Sequence, residues 1–503
     1  MEVKQIGKPW TKAYALKSAL QFFLHFVVFS LLAFVLLVWD QFSSLQEYMK
    51  TQGGNYLYTA FCVMLLFIIT YFYFYFEDRT VLMSGKTIAL VFTILDIYLL
   101  LSCTLGYKLS VYARPVALVA LLVFTLMGRR HAVFLNILCA LLIFVIDMFA
   151  APEVSAKECY SSLIIAFSSG MISIFFCAQA KSRLRVIGIG LFIIVPIDVI
   201  ILLLELSSLL DKPAEIVGGL SASQKILTQL GYGLFGAVMS AVIFLFLLPV
   251  LEWAFNCLTA FRLRELTSSE ARLLRELKRN APGTYNHSVM VAQLAEASAA
   301  AINENVDMAR AAALYHDVGK LHYPEHFTEN QGDYNLHDEL TPELSADIIR
   351  SHAKDGYNLI RNRHLPEVLA DIALEHHGTM PIRYFYAKAL KMTDGELNIE
   401  DFSYMGPKPQ TKLAAIIMIC DASEAAVRAV GARTPEEAEK AIRAVIEERM
   451  DLEQFSECDV TMADLTKIRL ALVNALTGVY HHRIQYPKIK YHRTENGTKG
   501  ENE

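Results

Sequence analysis

The sequence has 503 residues, of which 54% are hydrophobic and only 19% are charged. With a mean hydropathy of +0.35, this composition lies on the membrane side of an average soluble protein. The formal net charge of −5 argues against a nucleic-acid polymer as the main partner.

Nearly all of the apolar excess lies before about residue 255. There, eight apolar runs of roughly 17 to 22 residues are long enough to cross a bilayer as helices. The runs cover approximately 18–39, 56–76, 87–106, 111–128, 131–149, 161–179, 186–205 and 231–250. Residues 40–55 between the first two runs are predicted to form a short loop. The first run lacks a convincing cleavage site, so we expect a retained anchor.

Basic residues are concentrated at the N-terminus and in alternate connections between the runs. They are Lys4, Lys8, Lys12, Lys17, Arg79, Lys86, Arg129, Arg130, Lys181, Arg183 and Arg185. Because positively charged connections stay in the cytoplasm, we expect the N-terminal segment 1–17 and everything after 250 to be cytoplasmic. The predicted location is the plasma membrane of a bacterial-type cell, with the lipid bilayer as a partner.

Three acidic residues, Asp96, Asp147 and Asp198, lie within or near the apolar runs. A charge at this depth is costly unless it is paired or faces a cavity. Two interpretations therefore stay open: a pocket that senses a small ligand, or hydrogen bonding between helices.

The second half of the chain has the periodicity of a soluble α-helical domain. We predict a transmembrane region over 18–250, a juxtamembrane linker helix over 251–280, a soluble helical domain over 281–485 and a disordered tail over 486–503. Pro282 and Gly283 end the linker helix. Helices are predicted over 285–303, 306–316, 343–360, 366–376, 410–430, 434–449 and 462–483. The predicted fold class is all-α: a multi-span region followed by a cytoplasmic helical bundle.

Histidines cluster in the second half, where nine of the 14 lie between 287 and 377. A single histidine on a helix is more often solvated or hydrogen-bonded than a metal ligand, so only the set is informative. The ordered set is His287, His316, Asp317, His352, His376, His377 and Asp421. Imidazole and carboxylate ligands suit divalent ions such as Fe, Mn, Co, Ni or Zn, and a carboxylate can bridge two of them.

This order resembles the HD-domain metal-dependent phosphohydrolases, and within them the membrane-anchored 7TM-HD cyclic-di-AMP phosphodiesterases of the PgpH type. The stretches that carry the resemblance are APGTYNHSVMVAQLAEA (281–297), YHDVGK (315–320), ENQGDYNLHDELTPELSADIIRSHAKDG (329–356), LEHHGT (374–379), YFYAKA (384–389) and GPKPQTK (406–412). The resemblance covers about 280 to 485 closely, and the preceding multi-span region in architecture. It implies an all-helical HD domain with a two-metal site.

Carried over residue by residue, the resemblance implies a first metal held by His287, His316, Asp317 and Asp421. It implies a second metal held by Asp317, His352 and His376, so that Asp317 bridges the two. The implied ions are Fe or Mn. His377 is expected to contact the scissile phosphate and Lys320 to add positive charge there, although a solvated lysine at a helix end is the simpler interpretation. His322 and His326 match no ligand position.

The substrate follows from the residues after the paired histidines. Enzymes that cleave cyclic-di-GMP continue this motif into DGxGYP, whereas His376-His377 runs into GTMPIRYFYAKAL. The resemblance therefore implies hydrolysis of cyclic-di-AMP to linear pApA. Hydrolysis of another nucleotide, such as cyclic-di-GMP or a guanosine polyphosphate, stays an alternative, as does a nucleotide-binding receptor without turnover.

One departure limits the resemblance. Proteins of the PgpH type usually carry a large extracellular domain after the first span, where this chain has only the interval 40–55. A sensing role outside the cytoplasm is therefore not predicted from the resemblance. The sequence leaves open whether the chain forms a homo-oligomer.

Overall fold

The computed structural model describes residues 11–151, 153–180, 185–211, 222–332, 334–392, 396–432 and 434–479. Residues 1–10 of the predicted N-terminal segment, the predicted end of the catalytic domain at 485 and the predicted disordered tail 486–503 lie outside these ranges. The described residues are helical and contain no β-strand, only one isolated bridge between Pro381 and Ser403. The predicted all-α fold class is confirmed.

The chain divides into two compact units, Met1–Arg262 and Leu263–Glu503. The helices of the first unit are α1 Lys12–Val38, α2 Leu45–Glu77, α3 Arg79–Met83, α4 Gly85–Lys108, α5 Leu118–Met127, α6 Arg129–Ala150, α7 Ala156–Cys177, α8 Arg185–Asp211 and α9 Ala222–Phe255. Helix α10, Ala260–Leu266, spans the boundary. The helices of the second unit are α11 Arg272–Asn280, α12 Pro282–Ala301, α13 Val306–Tyr315, α14 Pro342–Asn362, α15 Glu367–Glu375, α16 Arg383–Leu390, α17 Lys412–Val430, α18 Pro435–Asp451 and α19 Met462–Val479.

Six helices among the described residues are long and apolar enough to cross a membrane. They cover Lys12–Val38, Gln41–Glu77, Gly85–Lys108, Arg129–Ala150, Ala156–Cys177 and Ser223–Phe255. The predicted run 186–205 lies in α8, which is not among the six. The predicted run 111–128 contains a 3₁₀ turn and the ten-residue α5. Arg114 is extended because the ring of Pro115 disfavours a helical conformation for the preceding residue.

The predicted loop 40–55 is largely helical, which differs from the sequence-based prediction. A 3₁₀ helix covers Trp39–Ser44 and α2 starts at Leu45. Leu45, Tyr48 and Met49 pack against the hydrophobic core of the first unit. Their burial favours an early start of the helix, although Gly53 and Gly54 have low helix propensity.

Asp147 takes part in a buried ion pair in the first unit. The guanidinium of Arg114 donates to both carboxylate oxygens, at 2.5 and 2.8 Å, and the Tyr107 hydroxyl donates to Asp147 Oδ1 at 3.0 Å. Arg114 Nε also donates to the carbonyl of Ser102. These contacts favour the structural interpretation of Asp147, because a buried charge with this many partners has its desolvation offset. For Asp96 and Asp198, a buried Oδ1 has no hydrogen-bond partner within the described ranges.

In the second unit, the predicted helices correspond to α12 to α15 and α17 to α19, while α16 had not been predicted. Residues 251–280, predicted as one linker helix, contain the end of α9, then α10 and α11. The chain turns at Asn256, which has a positive φ of 52°. Helix α11 ends at Asn280 and α12 begins at Pro282, because proline is tolerated in the first helical turn, where no N–H is required.

A close backbone contact joins the turn after α13 to α14. Gly319 lies in the 3₁₀ helix Val318–Leu321, and a Cβ placed on it would lie 1.9 Å from the carbonyl oxygen of His352. The same Cβ would lie 2.4 Å from the backbone nitrogen of Gly356. Both obstacles are backbone atoms, so a side chain at this position would force the two segments apart. The glycine of YHDVGK therefore allows this turn to approach α14.

We expect Gly319→Ala to lower the free energy of unfolding by about 1–3 kcal/mol, because the added methyl group overpacks two backbone segments. Thermal unfolding of the full chain in detergent would measure the change. The matched control is Gly332→Ala, where no heavy atom lies within 4 Å of the added Cβ. Equal unfolding temperatures for both variants and the parent would contradict the proposed steric role of Gly319.

Candidate metal centre

Five helices of the second unit bring the seven predicted site residues together. His287 lies on α12, His316 caps the end of α13, and Asp317 follows it. His352 lies on α14 and Asp421 on α17. His376 and His377 follow the end of α15. Residues separated by up to 134 positions in the sequence thus converge on one buried cluster.

Asp317 lies at the centre of the cluster, with its two carboxylate oxygens facing different histidines. Oδ2 lies 3.3 Å from His316 Nε2 and 3.8 Å from His287 Nε2. Oδ1 lies 3.3 Å from His352 Nε2 and 3.6 Å from His376 Nε2. The carboxylate therefore separates two groups of potential ligand atoms, with one oxygen directed at each.

Asp421 completes the group on the Oδ2 side. Its Oδ1 lies 2.9 Å from His287 Nε2 and 3.8 Å from His316 Nε2. Three overlapping sets offer ligand atoms within 4.8 Å of one another. They are Asp317, His352, His376 and His377; His287, His316 and Asp317; and His316, His376 and Asp421.

Three of the imidazole rings are held in the same way. Nδ1 lies near the carbonyl oxygen of the residue three positions earlier: Ala313 for His316 at 2.7 Å, Ile349 for His352 at 2.5 Å, and Ala373 for His376 at 2.8 Å. A carbonyl can only accept, so Nδ1 carries the proton in each ring. In the neutral rings, Nε2 then presents a lone pair to the cluster.

The charges of the cluster are strongly coupled. Burial raises the pKa of Asp317, but His316 and Lys320 outweigh burial and hold that pKa well below its usual range. Burial lowers the pKa of His316, but the Asp317 carboxylate raises it to about 10. Burial, together with the neighbouring His316 and His352, lowers the pKa of His376 to about 4. At neutral pH the Asp317 carboxylate is therefore ionised, His376 is neutral and His316 is protonated, so a metal ion at His316 would have to displace a proton.

These residues fit a divalent metal site. His316 Nε2 and Asp317 Oδ1 are buried and lack a partner in hydrogen-bond geometry among the described residues. The two atoms lie on opposite sides of the Asp317 carboxylate, since His316 is near Oδ2 while Oδ1 faces His352 and His376. Buried polar atoms without a partner are costly, and one cation on each side would satisfy them. Nitrogen and carboxylate oxygen donors suit Fe and Mn.

His377 lies beside the cluster and stacks on Tyr404, with ring centroids 4.2 Å apart and planes 28° apart. Its Nδ1 lies 3.8 Å from Asp421 Oδ2. Burial lowers the pKa of His377 well below its usual range, so its ring is neutral at neutral pH. The side chain is partly exposed and lines a cavity, which is compatible with contact to a substrate.

Lys320 is bound by two carboxylates. Its Nζ lies 2.7 Å from Asp317 Oδ2 and 2.8 Å from Glu329 Oε1, and Thr284 donates to the same Glu329 oxygen at 3.0 Å. Burial lowers the pKa of Lys320, but Asp317 and Glu329 raise it above its usual value. Its charge is thus balanced by two carboxylates inside the protein, where Lys320 holds the Asp317 carboxylate in place.

A cavity of about 580 Å³ opens onto the cluster. His287, His352, His377 and Asp421 line it on the cluster side, and Tyr384, Phe385 and Arg428 on other sides. Its volume is within the range of small-molecule sites. His326 and the buried His337 also line it, whereas His322 is exposed.

Sequence reasoning missed Glu329, Tyr404, Glu424 and Arg428. Glu424 had a usable signal, because it follows Asp421 by one helical turn and therefore shares its face of α17. Glu329 and Tyr404 lie in irregular segments, and no spacing rule places such residues against the cluster.

Two family models match the chain. Residues 54–259 match the family described as "7TM receptor with intracellular HD hydrolase", and residues 284–426 match the HD domain. The first match covers most of the helices that are long enough to span a membrane.

Two relatives are similar to large parts of the chain. The cyclic-di-AMP phosphodiesterase PgpH of Bacillus subtilis (strain 168) is 36% identical over 432 residues, which are 84% of this chain and 59% of that protein. The protein of the same name from Listeria monocytogenes is 45% identical over 265 residues, which are 52% of this chain and 37% of that protein. The chain thus spans less than two thirds of the length of these relatives.

A solved structure also matches the second half. The crystal structure of the L. monocytogenes PgpH HD domain in complex with cyclic-di-AMP is 48% identical. The match covers 42% of this chain and 99% of that one, with a TM-score of 0.41. Apolar helices and a 7TM family match followed by an HD domain match make the chain a multi-pass membrane protein that is similar to the 7TM-HD family in both regions.

Proposed function

We propose that the protein is a membrane-bound phosphodiesterase that hydrolyses cyclic-di-AMP to linear pApA with two divalent metal ions. The observation that carries the proposal is the Asp317 carboxylate, whose oxygens face two separate sets of ligand atoms beside a cavity of about 580 Å³. The activity named for the Bacillus and Listeria relatives supports the choice of substrate.

In this proposal His287, His316, Asp317 and Asp421 hold the first ion. Asp317, His352 and His376 hold the second, and both ions are Fe or Mn. When bound, two such ions would activate a water molecule and neutralise the oxygens of a phosphodiester. The backbone carbonyls that hold three of the imidazoles keep the ligand atoms aimed before any ion arrives.

His377 is proposed to bind the scissile phosphate. As a neutral ring it carries one N–H, which can donate to a phosphate oxygen. Stacking on Tyr404 restrains the ring plane, so the donor is held toward the cavity. Lys320 acts on the reaction through Asp317, because its charge is shared between Asp317 and Glu329.

The proposal also includes the membrane topology and the domain boundaries predicted from the sequence. The N-terminus (1–17) and the catalytic domain (281–485) lie in the cytoplasm, the region 18–250 spans the bilayer, and the linker 251–280 joins them. The basic connections between the apolar runs support this orientation. The membrane region is proposed to regulate turnover, and the chain can act as a homo-oligomer.

We expect the full chain in detergent with Mn²⁺ to convert cyclic-di-AMP to pApA, and to turn over cyclic-di-GMP and guanosine polyphosphate far more slowly. Chromatography of the reaction products would measure all three rates. Asp317→Asn should abolish turnover, since it removes the charge shared by both metal positions.

Two results would contradict this proposal. Turnover of another nucleotide without loss of cyclic-di-AMP would show a different substrate. Nucleotide binding with equally slow rates in the parent and in Asp317→Asn would indicate a receptor without turnover.

The role of His377 can be separated from metal binding. We expect His377→Ala to lower kcat by about 10²–10⁴-fold, in the range of a lost proton-transfer or phosphate-binding group, while the metal content stays unchanged. Turnover assays paired with metal analysis would test this. The exposed His322 offers a control, and His322→Ala should retain the parental kcat. A lost metal ion in His377→Ala would contradict the substrate role and make His377 a ligand.

A further inference from the structure

The imidazole of His287 has a different kind of hydrogen-bond partner from the three imidazoles that are held by backbone carbonyls. His316, His352 and His376 each direct Nδ1 at a backbone carbonyl. His287 instead directs Nδ1 at a carboxylate, Glu424 Oε2, at a distance of 2.9 Å. Both side chains are buried, which makes this contact strong and specific.

The geometry places carboxylates on both sides of this one ring. Glu424 lies three residues after Asp421 on α17, so the two side chains share a helix face. Asp421 Oδ1 lies 2.9 Å from His287 Nε2, opposite the Glu424 contact. One turn of α17 therefore supplies both a cluster carboxylate and the group that holds its neighbouring imidazole.

We propose that Glu424 is a positioning residue that orients His287 for the first metal position. This inference rests on the two-metal centre of the proposed function. The Glu424 carboxylate can only accept, so Nδ1 of His287 carries a proton. Nε2 lies 2.9 Å from Asp421 Oδ1, and it would be the ligand atom once a metal ion displaces the proton that it donates to that carboxylate. The second metal position does not share this dependence, because His352 and His376 are held by carbonyls of their own helices.

Arg428 extends the contact to the cavity wall. Its Nη2 lies 3.3 Å from the same Glu424 oxygen, one helical turn further along α17. The Arg428 side chain is about half exposed and lines the cavity. Glu424 is not among the residues that line the cavity, and it thus links a cavity residue to an imidazole of the cluster.

The test is a Mn²⁺ titration of the metal-free full chain in detergent, with free Mn²⁺ followed by electron paramagnetic resonance. We expect Glu424→Ala to weaken one of the two Mn²⁺ sites by about 10–100-fold, the usual effect of losing a partner of a metal-bound histidine, and to leave the other unchanged. Glu424→Gln keeps an acceptor oxygen, so it should restore most of the affinity.

The matched control is Glu375→Gln. Glu375 is a buried carboxylate of the same unit, and it accepts the backbone N–H of Gln410 at 3.0 Å instead of an imidazole. This variant should bind Mn²⁺ at both positions as the parent does.

Three results would overturn the positioning role: unchanged Mn²⁺ binding in Glu424→Ala, equal weakening at both positions, or no rescue by Glu424→Gln. The titration contains no nucleotide, so it is separate from the proposed activity. Weakening at one position in a chain that does not hydrolyse cyclic-di-AMP would support Glu424 and contradict the substrate. A parent that binds no Mn²⁺ would overturn both.

Discussion

The structure of the second unit depends on balancing the charge of one buried carboxylate. Asp317 is 1% exposed, and an ionised side chain removed from water costs several kcal/mol even after the protein relaxes. Lys320 and His316 balance its charge in the described structure. On the other side of the carboxylate, Asp317 Oδ1 faces His352 and His376 and has no hydrogen-bond partner among the described residues, so a further cation there would satisfy it. The same burial that makes Asp317 costly would make it a strong ligand for a metal ion.

Helix ends and backbone carbonyls supply the precision of this cluster. His316 and His376 each cap a helix, and their rings are held by carbonyls of the last turn. Short backbone-anchored side chains have little freedom to move, so the ligand atoms are preorganised. The contact of Gly319 with α14 then fixes the separation between Asp317 and His352. Packing therefore affects the geometry of the cluster, because a displaced turn would displace the Asp317 carboxylate.

The sequence allowed the residues of the cluster to be named but not their contacts. The order from His287 to Asp421 was sufficient because it resembles the motif order of the HD-domain phosphohydrolases. The pairing of Lys320 with Glu329 could not be predicted, since it depends on how the segment after α13 folds back. In the first unit, apolar periodicity indicated helices but not the break at Pro115, where local backbone sterics outweigh hydropathy. The roles of the site residues stay predictions.

The most direct test of the two-metal claim is anomalous diffraction at the Mn edge from crystals of the full chain grown with Mn²⁺. We expect two peaks about 3.5–4 Å apart, one on each side of the Asp317 carboxylate. One should be bounded by His287, His316 and Asp421, and the other by His352 and His376. A single peak, or two peaks with Asp317 bound to only one of them, would contradict the account.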